Sequence, residues 1–514
     1  MFIKKIKNHF KVIIVLFLLL SISIYTRIWN LMEWILPSDS EIRTVYNLNR
    51  KPLSNYLTEG LELSSSWFPI IGLTKLFFFI TSFPEYRYIT ASISILAILF
   101  TFLTVYFITK KLYIGLLTSL LIVVNIHILY ESRLYWVNAL DFIFPPIILY
   151  LYFRWTKTKA SYFFPLIFLF LALAINNHGQ QIYFVTIMIV WSIFLLIKRQ
   201  IKLKIFFISI LIFLVVMSPY LNSMYIGKFS VNQLRYYYIG YADFKLPQSL
   251  YLVNLIHPSK FFLDRVNAYL TLNLISETTT QWMIVFVMLF IPIYVFLKNG
   301  RKDNNLKFLF FCSYGTLILL LFSIIPAYDM LYIYPFFISF IVLLAKELNL
   351  KQKTSIIAIV PIIFIFISNT FYVLPNIQAN DYKNFDSLWP KNTNKLFIEG
   401  VVFSNLKYTN FLDNIKEIYI FECQIDSIYS VDPKYNKIYN WQNDSIGKAD
   451  SNFFMRMNLT SDSTIIFGNR CIAYSNFYGI DADERRGLNN SYTNIKFPIE
   501  YVNQYNGIAI YKIS

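Results

Sequence analysis

The residues best able to do chemistry lie early in the chain and in a fixed order. Arg27 closes an apolar run, and Pro37-Ser38-Asp39-Ser40-Glu41 follows it. Arg87 opens a second apolar run after Glu85-Tyr86, and Glu131-Ser132-Arg133 fills a later polar break. A positioned carboxylate can take a proton from a hydroxyl. A guanidinium stays charged at neutral pH, and its planar fork binds phosphate bidentately. A phosphate leaving group is already anionic, so it needs cations rather than an acid. One Asp with several arginines is therefore an adequate set for transfer from a phosphate-linked donor to a hydroxyl. Asp39 is the candidate base and Glu41 its positioning partner; Arg27, Arg87 and Arg133 are the candidate phosphate ligands. The alternative is a solvated loop in which Asp39 caps a helix starting near Glu41.

Further candidates are weaker. Asp141 either acts as an intramembrane acid or pairs structurally with Arg133, eight residues before it. Glu131 is the other accessory acid. His178 lies in Asn176-Asn177-His178-Gly179-Gln180-Gln181 and reads as a polar loop residue or as a contact to acceptor or phosphate. Lys260 and Arg265 either hold phosphate or are solvated surface charge. Four His and three Cys show no metal-ligand spacing, so the sequence supports no metal site and implies no cofactor, while a divalent metal stays an open alternative. No Gly-rich phosphate loop occurs, and ATP is not implied.

The elements that must position these residues are set by composition. Of 514 residues 56% are hydrophobic, 19% aromatic and only 15% charged. Mean hydropathy is +0.50. A soluble domain carries about 25% charged residues. A polytopic, mainly helical membrane protein is the expectation, and a disordered or disulfide-scaffold chain is excluded.

Eleven apolar runs approach spanning length: 10–28, 88–109, 112–130, 137–153, 162–176, 181–197, 203–220, 281–297, 308–325, 329–345 and 354–373. A span needs about 20 residues. The connecting segments alternate between Lys/Arg-rich and nearly uncharged. Lys110/Lys111, Arg154/Lys157/Lys159 and Lys346/Lys351/Lys353 belong to the basic set, whereas 131–136, 177–180 and 326–328 contain one basic residue, Arg133. Cytoplasmic loops collect Lys and Arg, so the N-terminus is expected in the cytoplasm and the C-terminus outside. The net charge of +17 is then topological, and nucleic acid is not an expected partner. The Lys-rich start is read as an uncleaved first span rather than a signal peptide, because Arg27 and Trp29 follow where small residues would.

Residues 1–373 form the expected transmembrane domain, with long outer segments at 29–87 and 221–280. Trp67–Ile80 is apolar but too short to span and is expected to lie in the interface. Residues 374–514 form the expected outer domain, small and α+β or β-rich, with β-type runs at 396–403, 417–422, 464–468 and 507–513. Its Cys423 and Cys471 are either a disulfide or two free thiols. The N-x-Ser/Thr triplets at Asn443, Asn458 and Asn489 are ascribed to chance in so Asn-rich a tail.

This order of features resembles the GT-C superfamily of membrane glycosyltransferases, nearest to glycosyltransferase family 39 with its protein mannosyltransferase and aminoarabinose transferase relatives. Arg27, the proline before the acids, Arg87 and Arg133 carry the likeness over roughly residues 10–200. Trp67–Ile70 stands in place of the family's His-Pro-Pro-Leu and lacks the His, and the paired acids are separated by Ser40. The resemblance implies Asp39 as the catalytic acid position and an outer-face active site in the cytoplasmic (inner) membrane. It implies inverting transfer of a hexosyl or pentosyl unit. The donor would be a polyprenyl-phosphate sugar and the acceptor a lipid-linked glycan, a surface polysaccharide or an exported protein. A surface-polysaccharide polymerase or ligase is the alternative, although it leaves the acids after the first span unexplained. A lipid-linked glycan transporter would show paired repeats and midplane charges, and neither is visible.

The topology has a direct check. Reporter fusions after Ala160 and after Tyr372 are expected to give cytoplasmic and exported signals respectively, and an exported signal at Ala160 would invert the assignment.

Overall fold

A computed structural model describes residues 2–29, 31, 68–77, 85–177, 181–218, 221, 279–300, 303–322, 334–350, 381–389, 393–399, 402–403, 406, 410–421, 463–467, 499–505 and 508–513. Two compact units divide the chain: Met1–Leu31 with Thr44–Gln378, and Met32–Arg43 with Ala379–Ser514.

The first unit is helical. Its described helices are α1 (Phe2–Ile28), α2 (Phe68–Leu76), α3 (Arg87–Thr109), α4 (Leu112–Val123), α5 (Ile126–Ser132), α6 (Phe144–Thr158), α7 (Phe163–Asn177), α8 (Ile182–Ile197), α9 (Leu203–Val216), α10 (Thr279–Asn299), α11 (Asn304–Phe322) and α12 (Tyr334–Asn349). Ten of the expected apolar runs carry one of these helices; the run at 354–373 lies outside the described residues. Phe10–Ile28 and Arg87–Thr109 are long and apolar enough to cross a membrane.

Two runs are not continuous helices. The run at 112–130 breaks at Val124, because the Asn125 side chain accepts the Ile128 N–H at 3.1 Å and starts α5 afresh. At about 1.5 Å per residue, α4 alone covers about 18 Å of a hydrocarbon layer about 30 Å thick. The run at 137–153 begins as a 3₁₀ turn, Val137–Phe142, and α6 starts beside it with Pro145 and Pro146 in its first turn. Proline suits that position because its missing N–H would have no partner there. Both breaks fall at the end of the bundle where the arginines lie.

Helix α3 packs against α1, α4, α6 and α12. Its buried hydroxyls satisfy themselves on the preceding turn, as in Thr101 to the Ala97 carbonyl at 2.9 Å and Thr104 to Phe100 at 2.8 Å. Gly115 of α4 lets that helix approach: a Cβ there would stand 3.1 Å from the Phe102 ring of α3. Farther along, Tyr152 of α6 stacks on Phe308 of α11 at 3.5 Å, and Trp191 of α8 donates its indole N–H to the Tyr152 hydroxyl at 2.9 Å. Cys312 is buried and, among the described cysteines, is a free thiol; Cys423 and Cys471 lie outside the described residues.

The second unit contains α13 (Asp381–Leu388) and strands β1 (Lys395–Glu399), β2 (Glu417–Phe421), β3 (Ser463–Phe467), β4 (Ile499–Tyr505) and β5 (Ile508–Ile513). The sheet order is β2-β1-β3-β5-β4, with β1 parallel to both β2 and β3, and β5 antiparallel to β3 and β4. Phe385 and Trp389 pack with Leu396, Ile398, Phe411 and Ile418 in its core. Strand β1 stops before Val402 and Phe403, which still belong to the core. β4 carries polar Asn503 and Gln504 and a register shift between Tyr501 and Asn503, so it lacks the apolar signature of a strand.

At the end of the bundle expected to face the cytoplasm, Asp303 does two jobs. Its carboxylate accepts the N–H groups of Asn305 (2.9 Å) and Leu306 (3.1 Å), capping α11, and meets Lys346 of α12 at 2.8 Å. Burial would raise its pKa, but the Lys346 hydrogen bond and charge and the two backbone donors outweigh that, and the net shift is downward. A depressed carboxylate stabilises the folded state above its ordinary pKa of about 3.9 and loses that contribution as pH falls through the folded value. Asp303→Ala is expected to cost about 1 kcal/mol from the lost cap. The difference between wild type and variant should narrow below about pH 4, as read from thermal unfolding in detergent.

Candidate functional site: a buried arginine cluster at the end of the first helix

Arg27, Arg87 and Arg133 start from different elements and meet at one place. Arg27 lies in the last turn of α1, Arg87 opens α3, and Arg133 ends α5. All three are buried: Arg27 and Arg87 are 0% exposed and Arg133 is 3%. Arg27 is close enough to Arg133, and Arg133 to Arg87, for each pair to feel mutual repulsion.

Helix ends explain how three cations share that space. The last carbonyls of a helix lack intrahelical partners and carry partial negative charge. Arg133 donates to the carbonyls of Thr26 (3.1 Å) and Trp29 (2.7 Å), and Arg87 to that of Leu31 (3.3 Å), so both hold the C-terminal end of α1. Arg27 instead serves α4. It donates to the Ile122 (3.4 Å) and Val123 (3.3 Å) carbonyls, and also to the hydroxyls of Thr26 (2.9 Å) and Ser94 (3.0 Å). A guanidinium has five N–H donors; those of Arg27 make four hydrogen bonds, joining α1, α3 and α4. Burial, and after it the charge of Arg87, lowers the Arg133 pKa to about 10, which leaves it cationic at neutral pH.

The accessory candidates divide. Asp141, at the end of the 3₁₀ turn, is fully buried and accepts a hydrogen bond from the Asn177 side chain at 2.8 Å. Tyr334, the first residue of α12, donates to the Phe142 carbonyl at 2.8 Å and lies within electrostatic range of both Arg27 and Asp141. Asp141 therefore belongs to the arginine neighbourhood. Glu131 is half-buried on α5. Helix α2 is held to the same end of the bundle, where Thr74 and Tyr135 share a hydrogen bond at 2.7 Å and the Tyr135 and Tyr86 rings lie tilted with centroids 5.0 Å apart. Asp39, Glu41, His178, Lys260 and Arg265 lie outside the described residues. Among the described residues no group of three or more His, Cys, Asp and Glu could hold a metal ion.

The structure adds Asn177, Tyr334, Thr26 and Ser94 to the cluster. Asn177 had a sequence signal, because it adjoins His178 in a polar break between apolar runs. Tyr334, Thr26 and Ser94 had none, since a hydroxyl in a span is ordinarily satisfied on its own helix.

No protein-family model matches the chain, and no curated protein matches its sequence. Solved structures do match its fold. ArnT from Cupriavidus metallidurans bound to undecaprenyl phosphate aligns with a TM-score of 0.52 and 9% identity, over 97% of this chain and 97% of that one. The apo crystal structure of the same protein aligns with a TM-score of 0.52 and 10% identity, again over 97% of each chain. The chain shares its overall fold with that protein.

The Arg27 geometry makes a stability prediction. Arg27→Leu keeps the apolar stem but takes the Arg27 donors from the Ile122 and Val123 carbonyls and the Ser94 hydroxyl, at about 1–3 kcal/mol for each buried partner left without a bond, whereas the Thr26 hydroxyl keeps its bond to the Ile22 carbonyl. A large fall in melting temperature in detergent is expected. Arg27→Lys should recover only part of it, because one ammonium cannot reach three helices as the fork does.

Proposed function

We propose that the protein is an inverting glycosyltransferase of the GT-C type. It takes a sugar from a polyprenyl-phosphate donor and moves it to a hydroxyl of a glycan, lipid or exported-protein acceptor at the outer face of the cytoplasmic membrane. The observation that carries this reading is the burial of Arg27, Arg87 and Arg133 around the last turn of α1, immediately before the segment holding Asp39 and Glu41. The likeness in fold to an enzyme solved with undecaprenyl phosphate supports a lipid-carried donor.

The proposed roles follow from the contacts. Asp39 takes the acceptor's proton as the hydroxyl attacks the anomeric carbon on the face opposite the phosphate, and Glu41 positions it. The phosphate leaves with the bonding electrons, stabilised by Arg87 and Arg133, which sit at the helix end. Lys260 and Arg265 remain candidate donor contacts from the second long outer segment. Arg27 shifts from phosphate ligand to positioning residue, because four hydrogen bonds within the protein already occupy its guanidinium. Asp141 is proposed to balance the buried cations, with Asn177 fixing its carboxylate. His178 and Glu131 are proposed as acceptor-side contacts.

Transfer from a synthetic polyprenyl-phosphate sugar by purified protein tests this assignment. A general base contributes about 10²–10⁴-fold, so Asp39→Asn should abolish most turnover while the protein stays folded. Glu41→Gln should lose less. Arg133→Lys keeps the charge but loses the fork, and should weaken donor binding more than turnover. Full activity of Asp39→Asn would move the base to Asp141 or Glu131.

A further inference from the structure

A second cationic cluster stands at the opposite end of α3 from Arg87. Helix α3 ends at Lys110, Lys111 starts α4, and the last turn of α6 carries Arg154, Lys157 and Lys159. Three of these cations surround one ring. Lys110 Nζ lies 4.4 Å from the Phe107 ring centroid, Lys157 Nζ 4.9 Å and the Arg154 guanidinium carbon 5.5 Å. Lys111 and Lys159 lie beside Tyr113 and Trp155, at 6.0 and 4.5 Å.

Topology alone asks only that positive charge be on this side of the membrane. It does not ask that three charges from two helices converge on one side chain. Helix dipoles favour a cation near each C-terminus, but they too leave the convergence unexplained. Among the described residues, no ion pair joins any of the five to a carboxylate, whereas Lys346 is matched by Asp303. Burial, and after it the charges of Lys157 and Arg154, lowers the Lys110 pKa. Lys110 and Lys159 both adopt left-handed backbone, at φ 59° and 56°, in the position where helices ordinarily end on glycine. The chain thus places lysine twice where glycine would be easier. Phe107 and the exposed Tyr113 and Tyr162 supply apolar surface beside the charges. Basic pockets between membrane helices on the cytoplasmic side hold anionic headgroups by this combination.

We propose that Lys110, Arg154 and Lys157 form a binding site for the phosphate headgroup of an acidic phospholipid, with Phe107 as its floor and Lys111 and Lys159 at its rim. The lipid's acyl chains lie along α3 and α6. The site neutralises the cations and anchors this end of the bundle in the leaflet. It requires only that the protein sit in a membrane and is independent of the transfer chemistry, so either reading can fail alone.

The test uses the full-length protein in phosphatidylcholine nanodiscs titrated with phosphatidylglycerol, with retained acidic lipid counted by native mass spectrometry. Attraction of about fivefold per basic residue means K110Q/K157Q should weaken retention roughly 30-fold, and K110R/K157R should restore it. K202Q/K204Q removes the same charge from another basic segment and should leave retention near wild type. Equal losses in the two glutamine variants would overturn the site in favour of diffuse surface charge. Displacement of the lipid by millimolar inorganic phosphate would overturn the lipid assignment in favour of a soluble anion. A K110Q/K157Q protein that melts as wild type does but retains phosphatidylglycerol undiminished would overturn the proposal outright.

Discussion

The need to satisfy helix-end carbonyls away from water governs the architecture around α1. The last carbonyls of α1 and α4 have no intrahelical partners, and buried arginines supply the donors. Arginine is the side chain suited to that task, with a long stem, a permanent charge and several donors in a fixed plane. Arg27 fastens α4 to α1 and α3, while Arg87 and Arg133 fasten the end of α1 itself. In the sequence, the segment with Asp39 and Glu41 follows directly.

The same arrangement has an electrostatic consequence. Backbone carbonyls face three buried guanidinium groups, and Asp141, held by Asn177, lies in the same neighbourhood. In the proposed chemistry the arginines that hold the helix end would also receive the leaving phosphate. At the opposite end of α3 the basic side chains are more exposed, and among the described residues no ion pair joins them to a carboxylate.

Sequence reasoning reached the arginines because charge is rare in this chain, so each one at the edge of an apolar run stands out. It also located most helices, since apolar length is a strong signal in a membrane protein. It could not see the break at Asn125, where a single cap overrides an otherwise continuous apolar run. Nor could it assign Thr26 and Ser94 to Arg27, because spacing along the chain says nothing about which helices touch. In the tail, four strands coincide with runs of β-branched and aromatic residues; β4 was hidden by its polar residues and the shift between Tyr501 and Asn503. The residue type of Arg27 suggests a phosphate; its bonds to two carbonyls and two hydroxyls, which spacing along the chain could not show, are what support the positioning role proposed for it.

The most direct test of the account is an experimental structure of the protein with a bound polyprenyl phosphate. The account predicts the phosphate at the end of α1, within hydrogen-bonding distance of Arg87 or Arg133, with Arg27 still joined to the Ile122 and Val123 carbonyls. A phosphate bound at the far end of α3, with the Arg87 and Arg133 surroundings empty of ligand, would contradict it.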